Sequence, residues 1–480
     1  MPHSNEHTRL LQDDNSDAEV IRFADHDHDD PREWPLHWKY IQVLLVFFIG
    51  LILPMASSMF APAIDDIAET YQVDKQLVLG GQAVFVSMLG IGPLFFAPMS
   101  ETFGRRKVYL INISLFCLSQ IPLALAPNIE TWLAFRLLSG LFSSVGVANG
   151  GGTISDLFKA SERATVSGFY FLAPLLAPTL GPFFASLILM ALEWQWIFWV
   201  LFILSASLFI VCFLALFETQ SNVVLQQRKA RLEKQNPSKK FKLEGMSDQS
   251  LFQKVAQNST TATKILFYQP IVMIISVYQA LVFSSVYSLY SNYTTIWSEE
   301  PYNFDTIQVG LAYLGPAVGF LATAFIVVPL MDPIYKKMQY RYNSVEGKPE
   351  YRLPLSNIGA VCLPVSLFWF GWAIEKELYW TIPLAATLFF GASQISIFNS
   401  FQNYYIDAFE SKAASALAAG AFLRSLVGGI VPLFVPRMFE SLGYGLGFSV
   451  FGIIGIILMP APLLFMRYGA TLREKFAVAE

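Results

Sequence analysis

Twelve long apolar runs punctuate this chain, and they leave it few ways to fold. They fall at 41–63, 77–98, 108–126, 131–152, 164–189, 194–217, 270–291, 307–330, 357–374, 379–402, 413–436 and 444–466. A helix rises about 1.5 Å per residue, so roughly 20 apolar residues cross the hydrocarbon core of a bilayer. In lipid every backbone N–H and C=O must be satisfied within the protein, which leaves helices and closed barrels. Runs this continuous read as helices. The expected fold class is therefore all-α integral membrane, with twelve transmembrane helices. Only 14% of the residues are charged, against about 25% in soluble domains, which argues against a water-soluble enzyme.

Most connections are short, but 218–269 is long and charged and divides six runs from six. This predicts a six-helix bundle at 41–217, a cytoplasmic linker at 218–269 and a second bundle at 270–466, flanked by tails at 1–40 and 467–480. With the N-terminus placed in the cytoplasm, 27 Lys and Arg fall on cytoplasmic segments and three (Lys75, Lys376, Arg437) on outer loops. The positive-inside rule therefore puts both tails and the linker in the cytoplasm. The first 40 residues are polar and acidic and read as a disordered tail. No apolar run precedes Ile41, so no cleavable signal peptide is expected. His3, His7, His26 and His28 lack metal-site spacing, and Glu6 with Leu10 and Leu11 fits a dileucine sorting pattern. Cys117, Cys212 and Cys362 all lie in apolar runs. Neither metal nor cofactor binding is expected, and nothing points to nucleic acid. Without a Walker motif, ATP is not the expected energy source. Six spans, a linker and six spans is the pattern of a two-bundle transporter, whose site lies near the mid-plane between the halves.

Several stretches narrow the class. Gly92-Pro93-Leu94-Phe95-Phe96-Ala97-Pro98-Met99-Ser100-Glu101-Thr102-Phe103-Gly104-Arg105-Arg106-Lys107 joins spans 2 and 3. Span 4 carries Arg136-Leu137-Leu138-Ser139-Gly140 and then Gly146, and span 5 carries Ala173-Pro174-Leu175-Leu176-Ala177-Pro178-Thr179-Leu180-Gly181-Pro182. Phe217-Glu218-Thr219 closes span 6, Glu350-Tyr351-Arg352-Leu353-Pro354 precedes span 9, and Leu423-Arg424-Ser425-Leu426 lies in span 11. In this order and placement, the stretches resemble the major facilitator superfamily (MFS), in the form of its fungal 12-span drug:proton antiporters. The resemblance covers about residues 34–466 and implies the MFS fold, export and proton antiport. It implies that Arg136 helps couple proton movement to the conformational cycle. It also implies that Gly92, Ser100, Glu101, Gly104, Arg105 and Arg106 form a cytoplasmic gate. Pro174, Pro178, Gly181 and Pro182 match the motif associated with antiporters, although Ala185-Ser186 replace its paired glycines.

The residues themselves add candidates. A charge within the membrane is costly and marks a functional position. Only Arg136 and Arg424 lie within predicted spans, and no Asp, Glu, Lys or His lies well inside one. Backbone carbonyls of neighbouring helices are the alternative partners for both guanidiniums. Relatives that handle cations often have an acid late in span 7, where this chain has Ser291. An arginine-bearing interior without a buried acid suits a neutral or anionic substrate, since guanidinium pairs bidentately with carboxylate. Gln82, Asn149, Gln279, Tyr287, Asn399, Gln402 and Asn403 are candidate cavity residues, the last three sharing one helix face by their spacing. The expectation is a monomeric secondary transporter that exports a secondary metabolite, organic acid or drug by alternating access, with protons as the counter-substrate. The plasma membrane is the first expectation for its location and an organelle membrane the second. A proton-independent organic-anion facilitator and a non-transporting membrane sensor are the alternatives.

Overall fold

A computed structural model describes residues 18–21, 23, 27, 29–235, 240–243, 251–342, 347–409 and 413–476. Among these, eleven helical segments are long and apolar enough to cross a membrane. A twelfth crossing is a pair, Lys75–Ile91 and Pro93–Phe103, that meets at a bend of 42°. In chain order span 1 is Leu36–Met55, span 2 the bent pair, span 3 Arg105–Ala124, span 4 Ile129–Leu157, span 5 Ala160–Leu189 and span 6 Gln195–Ala215. Span 7 is Pro270–Ser298, span 8 Thr306–Arg341, span 9 Pro354–Glu375, span 10 Thr381–Ala408 and span 11 Ala413–Ile430. Span 12 lies in Val435–Lys475, after a break at Gly443, whose φ is +75°.

Three boundaries differ from the sequence reading, each for a local reason. Span 1 stops at Met55 rather than running to residue 63. Pro54 and Pro62 lack the N–H that would continue the ladder, so the chain turns and resumes as a 3-10 turn at Ala61–Ala63 and a helix at Ile64–Tyr71. Span 4 runs on to Leu157, past the expected end at 152, with breaks at Ser144 and Asn149. The first 40 residues are not wholly without structure. Ala18–Ile21 (β1) pairs in parallel with Lys240–Leu243 (β2) of the linker, and span 1 already begins at Leu36. Arg228 of the linker helix Ser221–Gln235 pairs with Asp27 beside this sheet. His3, His7, His26, His28 and the Glu6–Leu11 pattern lie outside the described residues.

Two apolar cores hold the helices together. One draws mainly on residues between Leu45 and Leu216, with Phe320, Val328 and Phe398 added from the second half. The other draws on residues between Ala262 and Phe465. Outward-facing side chains remain bare, as Leu214 (72% exposed) and Ile457 (69%) show. This is the surface lipid covers, because hydrocarbon solvates an apolar side chain as well as another side chain does. The halves meet where small residues permit close approach. A Cβ on Gly90 of span 2 would lie 2.8 Å from Ala421 O of span 11, and Gly310 of span 8 lies against Ser186 of span 5.

Candidate functional site

The break after span 1 is a hub. Span 5 places proline at 174, 178 and 182. Pro182 has no N–H to give the carbonyl four residues back, which is Pro178 O. Ser58 Oγ donates to that carbonyl at 2.7 Å. Gly181 makes room for the approach, since a Cβ there would lie 2.8 Å from Met55 O. From the other side Arg136 of span 4 reaches the same turn. It is fully buried, and its guanidinium donates to Ala56 O (2.7 Å), Ser57 O (3.2 Å) and Gly81 O (3.3 Å). Phe60 and Phe85 rings lie 4.5 and 4.6 Å from it. Its partners are thus backbone carbonyls and aromatic faces, with no carboxylate among the described residues.

The outer part of the interface is closed. Tyr287 of span 7 donates to Ser57 Oγ at 3.2 Å, Gln82 of span 2 donates to Ser291 Oγ at 3.1 Å, and Thr179 bonds Tyr290. Gln82 and Tyr287, expected on the cavity wall, are occupied here in joining the halves. The position where cation-handling relatives carry an acid is held by Ser291 as the partner of Gln82.

Below this seal a cavity of about 540 Å³ opens between the halves. Pro93, Ala97, Ser155 and Phe171 line it from the first half, and Gln402, Leu417, Ala421 and Arg424 from the second. Glu101, Arg105, Arg163 and Asp407 stand at its mouth. These four lie at the helix ends that carry most of the Lys and Arg, and the cavity opens toward that side, which the positive-inside rule assigns to the cytoplasm. Arg424 is the deepest charge. It is 2% exposed, Nη1 donates to Gln279 Oε1 at 3.4 Å, and Phe283 and Phe398 each lie 5.1 Å from the guanidinium. Arg424 Nε and Gln279 Nε2 are both buried donors without a hydrogen-bond acceptor among the described residues. Of the polar trio in span 10 only Gln402 reaches the wall. Asn399 donates to Gly168 O of span 5 at 3.4 Å, and Asn403 to its own helix at Asn399 O.

The stretch between spans 2 and 3 is built from several helices. Glu218, at the end of span 6, accepts from the backbone N–H of Arg105 (2.8 Å) and of Arg106 (3.2 Å). A carboxylate there caps the first turn of span 3 and complements its dipole. Burial pushes the Glu218 carboxyl up, while these N–H donors oppose the shift. Gly104 has φ +100°, and a Cβ on it would collide with the Glu218 carboxylate. Arg105 pairs with Asp156 of span 4 at 3.0 Å and donates to Ser100 Oγ, which lies 3.2 Å from Asn149 Oδ1. Gly92 packs against Ser144, where a side chain would clash. Arg106 donates to Phe213 O. Glu101 is exposed and acts on Arg105 through charge alone, with no hydrogen bond or ion-pair contact among the described residues.

The second half has a counterpart. Arg352 precedes span 9 and pairs with Asp332 of span 8 and Asp407 of span 10, each at 2.7 Å. Burial opposes its charge, but Asp407 and Asp332 outweigh that and raise its pKa above the ordinary value. Thr165 of span 5 donates to the other oxygen of Asp332 at 2.6 Å and so links the halves. The sequence reading gave no role to Asp156, Asp332 or Asp407. Asp156 lay outside the expected span 4. The available signal was positional: Arg105–Asp156 joins the starts and ends of spans 3 and 4, and Arg352–Asp407 those of spans 9 and 10, six spans later.

The fold and this cavity between its halves define a class, the membrane transporters of two-bundle design. The family model described as Major Facilitator Superfamily matches residues 46–432, and the chain belongs to that family. It is a multi-pass membrane transporter and not an enzyme. It is 37% identical over 455 residues to the MFS-type transporter tndD of Aspergillus flavipes, covering 94% of this chain and 84% of that one. It is 34% identical over 452 residues to the efflux pump radE of Floropilus chiversii, covering 93% and 83%. Among solved structures, the proton:xylose symporter XylE aligns with a TM-score of 0.67 at 16% identity, covering 91% of this chain and 96% of that one. At that identity the likeness shows the fold alone.

Proposed function

We propose that this chain exports a small neutral or anionic organic compound, of the secondary-metabolite or organic-acid kind, by alternating access with protons moving inward. The observation that carries the reading is Arg424. It sits at the deep end of the cavity, with a buried Nε that has no acceptor among the described residues and with two aromatic rings beside it. A flat carboxylate or enolate would satisfy that donor and stack on Phe283 or Phe398. The direction is supported by relatives named as efflux pumps, such as radE. Arg136 serves as a positioning residue in this scheme. It holds the span 1 turn that also receives Tyr287 from the other half, so movement of the halves is felt there. The plasma membrane suits such an export role.

The test is efflux from proteoliposomes loaded with radiolabelled benzoate, with benzamide as the neutral comparison, over a range of imposed pH gradients. Arg424→Gln should slow benzoate efflux about tenfold or more, the worth of a charge-assisted hydrogen bond, and should leave benzamide near its wild-type rate. Equal effects on both compounds would remove the anion-anchor role. Benzoate efflux indifferent to the gradient would instead favour a facilitator, a reading to which the lack of a carboxylate partner for Arg424 among the described residues lends weight.

A further inference from the structure

A second cavity lies away from the substrate path and shares no wall residue with it. It has a volume of about 450 Å³ and sits at the cytoplasmic edge of the second half, between the end of span 8, the approach to span 9 and the end of span 12. Its rim carries Lys348 and Arg467, both exposed. Neither forms an ion pair among the described residues. The one acid on its wall, Glu350, is already held by Arg473 at 2.8 Å, so the cavity keeps a net positive charge. Tyr342 and Tyr351 stack at 5.9 Å to form one side. Arg467 and Leu463 stand four residues apart on span 12 and therefore share a face one turn apart. Leu463 is exposed and precedes Arg467 by one turn, on the side that leads back into the apolar part of span 12. Met466 extends the apolar floor. The pocket is thus cationic at its rim and apolar along span 12, where the apolar run of that helix ends at Met466.

We propose that this cavity binds an anionic phospholipid of the cytoplasmic leaflet, with the headgroup phosphate on Lys348 and Arg467 and an acyl chain along Leu463. Basic pockets at this level take anionic headgroups because each nearby cation adds to the attraction. A zwitterionic headgroup has no net charge, so Lys348 and Arg467 gain far less from it than from one with an excess negative charge. The site is independent of the transported compound, and binding there would brace the loop that carries Arg352 and its partners Asp332 and Asp407.

The experiment uses the full-length protein in nanodiscs of phosphatidylcholine with graded phosphatidylserine, and reads bound lipid by native mass spectrometry. The double variant Lys348→Gln, Arg467→Gln should weaken phosphatidylserine retention about thirtyfold, from two cations near the surface. Lys336→Gln, Lys337→Gln removes the same charge from the neighbouring exposed face of span 8 and should retain the lipid as the wild type does. A loss equal in both variants would show a diffuse basic surface and overturn the site. Retention unchanged in the first variant would overturn it too. Soluble glycerol phosphate competing as well as the intact lipid would overturn the lipid assignment. Equal melting temperatures of both variants in pure phosphatidylcholine would show that the fold is intact.

Discussion

At the scale of single residues, the least replaceable side chain is Arg136. Its planar fork reaches two carbonyls of one turn and a third on span 2. Carbonyls freed by a break in a helix must be paired in a bilayer, and here one guanidinium pairs them. Arg136→Ala should leave a folded protein, destabilised by about 2–3 kcal/mol through its unpaired acceptors, with transport reduced to background. Arg136→Lys should recover part of the stability and little of the transport, since an ammonium offers a point charge instead of a fork. Thermal unfolding in detergent and efflux from proteoliposomes, measured on the same preparations, would show this. Normal transport by Arg136→Ala would end the positioning role. The sequence made the guanidinium conspicuous, because a charge in an apolar run stands out. It could not show the partners, because carbonyls carry no residue signature.

The span 5 proline motif acts on the next scale up, between elements. Three prolines leave Ala160–Leu189 a continuous helix, and the pairing of Pro178 O is handed to Ser58 Oγ. Removing that hydroxyl should therefore cost about 1–3 kcal/mol, the penalty for an unsatisfied buried carbonyl. Pro182→Ala restores an N–H that can bond Pro178 O from within the helix. In that background Ser58→Ala should cost much less. A double-mutant cycle on unfolding free energies would reveal the coupling, and additive costs would show that the two residues do not share the carbonyl. Packing of this kind was half visible in the sequence. Prolines at every fourth position stood out in the sequence, but the partner lay 120 positions away.

At the scale of the whole molecule, the structure is caught with its outer seams joined and its cytoplasmic mouth open. Glu101 stands at that mouth with no hydrogen bond or ion-pair contact among the described residues, its charge felt by Arg105, which Asp156 already holds. An acid in that state is free to pair when the mouth shuts, so Glu101→Ala should favour the open form. A cysteine at Ala418 on the cavity wall, in a background lacking the three native cysteines, should be labelled several-fold faster from the cytoplasmic side in the Glu101→Ala protein. The rank order of substrates should not change, because the residue biases a conformational equilibrium. Unchanged labelling with an altered substrate order would reverse the assignment. Span count was readable from the chain because bilayer thickness acts on composition alone. The break at Met55, the reach of span 4 to Asp156 and the closing of Gln82 on Ser291 were not. Each depends on which helices are neighbours, and on which face of the membrane the cavity opens toward.

The pairing of β1 with β2 ties the start of the chain to its middle, and this makes the position of a backbone cut matter. A cut within 236–239 would leave β1 on the first piece and β2 on the second, so the two-stranded sheet would clasp the pieces together. A cut within 244–250, only a few residues on, would leave both strands on the first piece and nothing in the sheet to recruit its companion. A pair of four-residue strands is marginal alone. Even so, two separately made halves held at the raised local concentration that such a clasp supplies should reassemble more readily from the first cut than from the second.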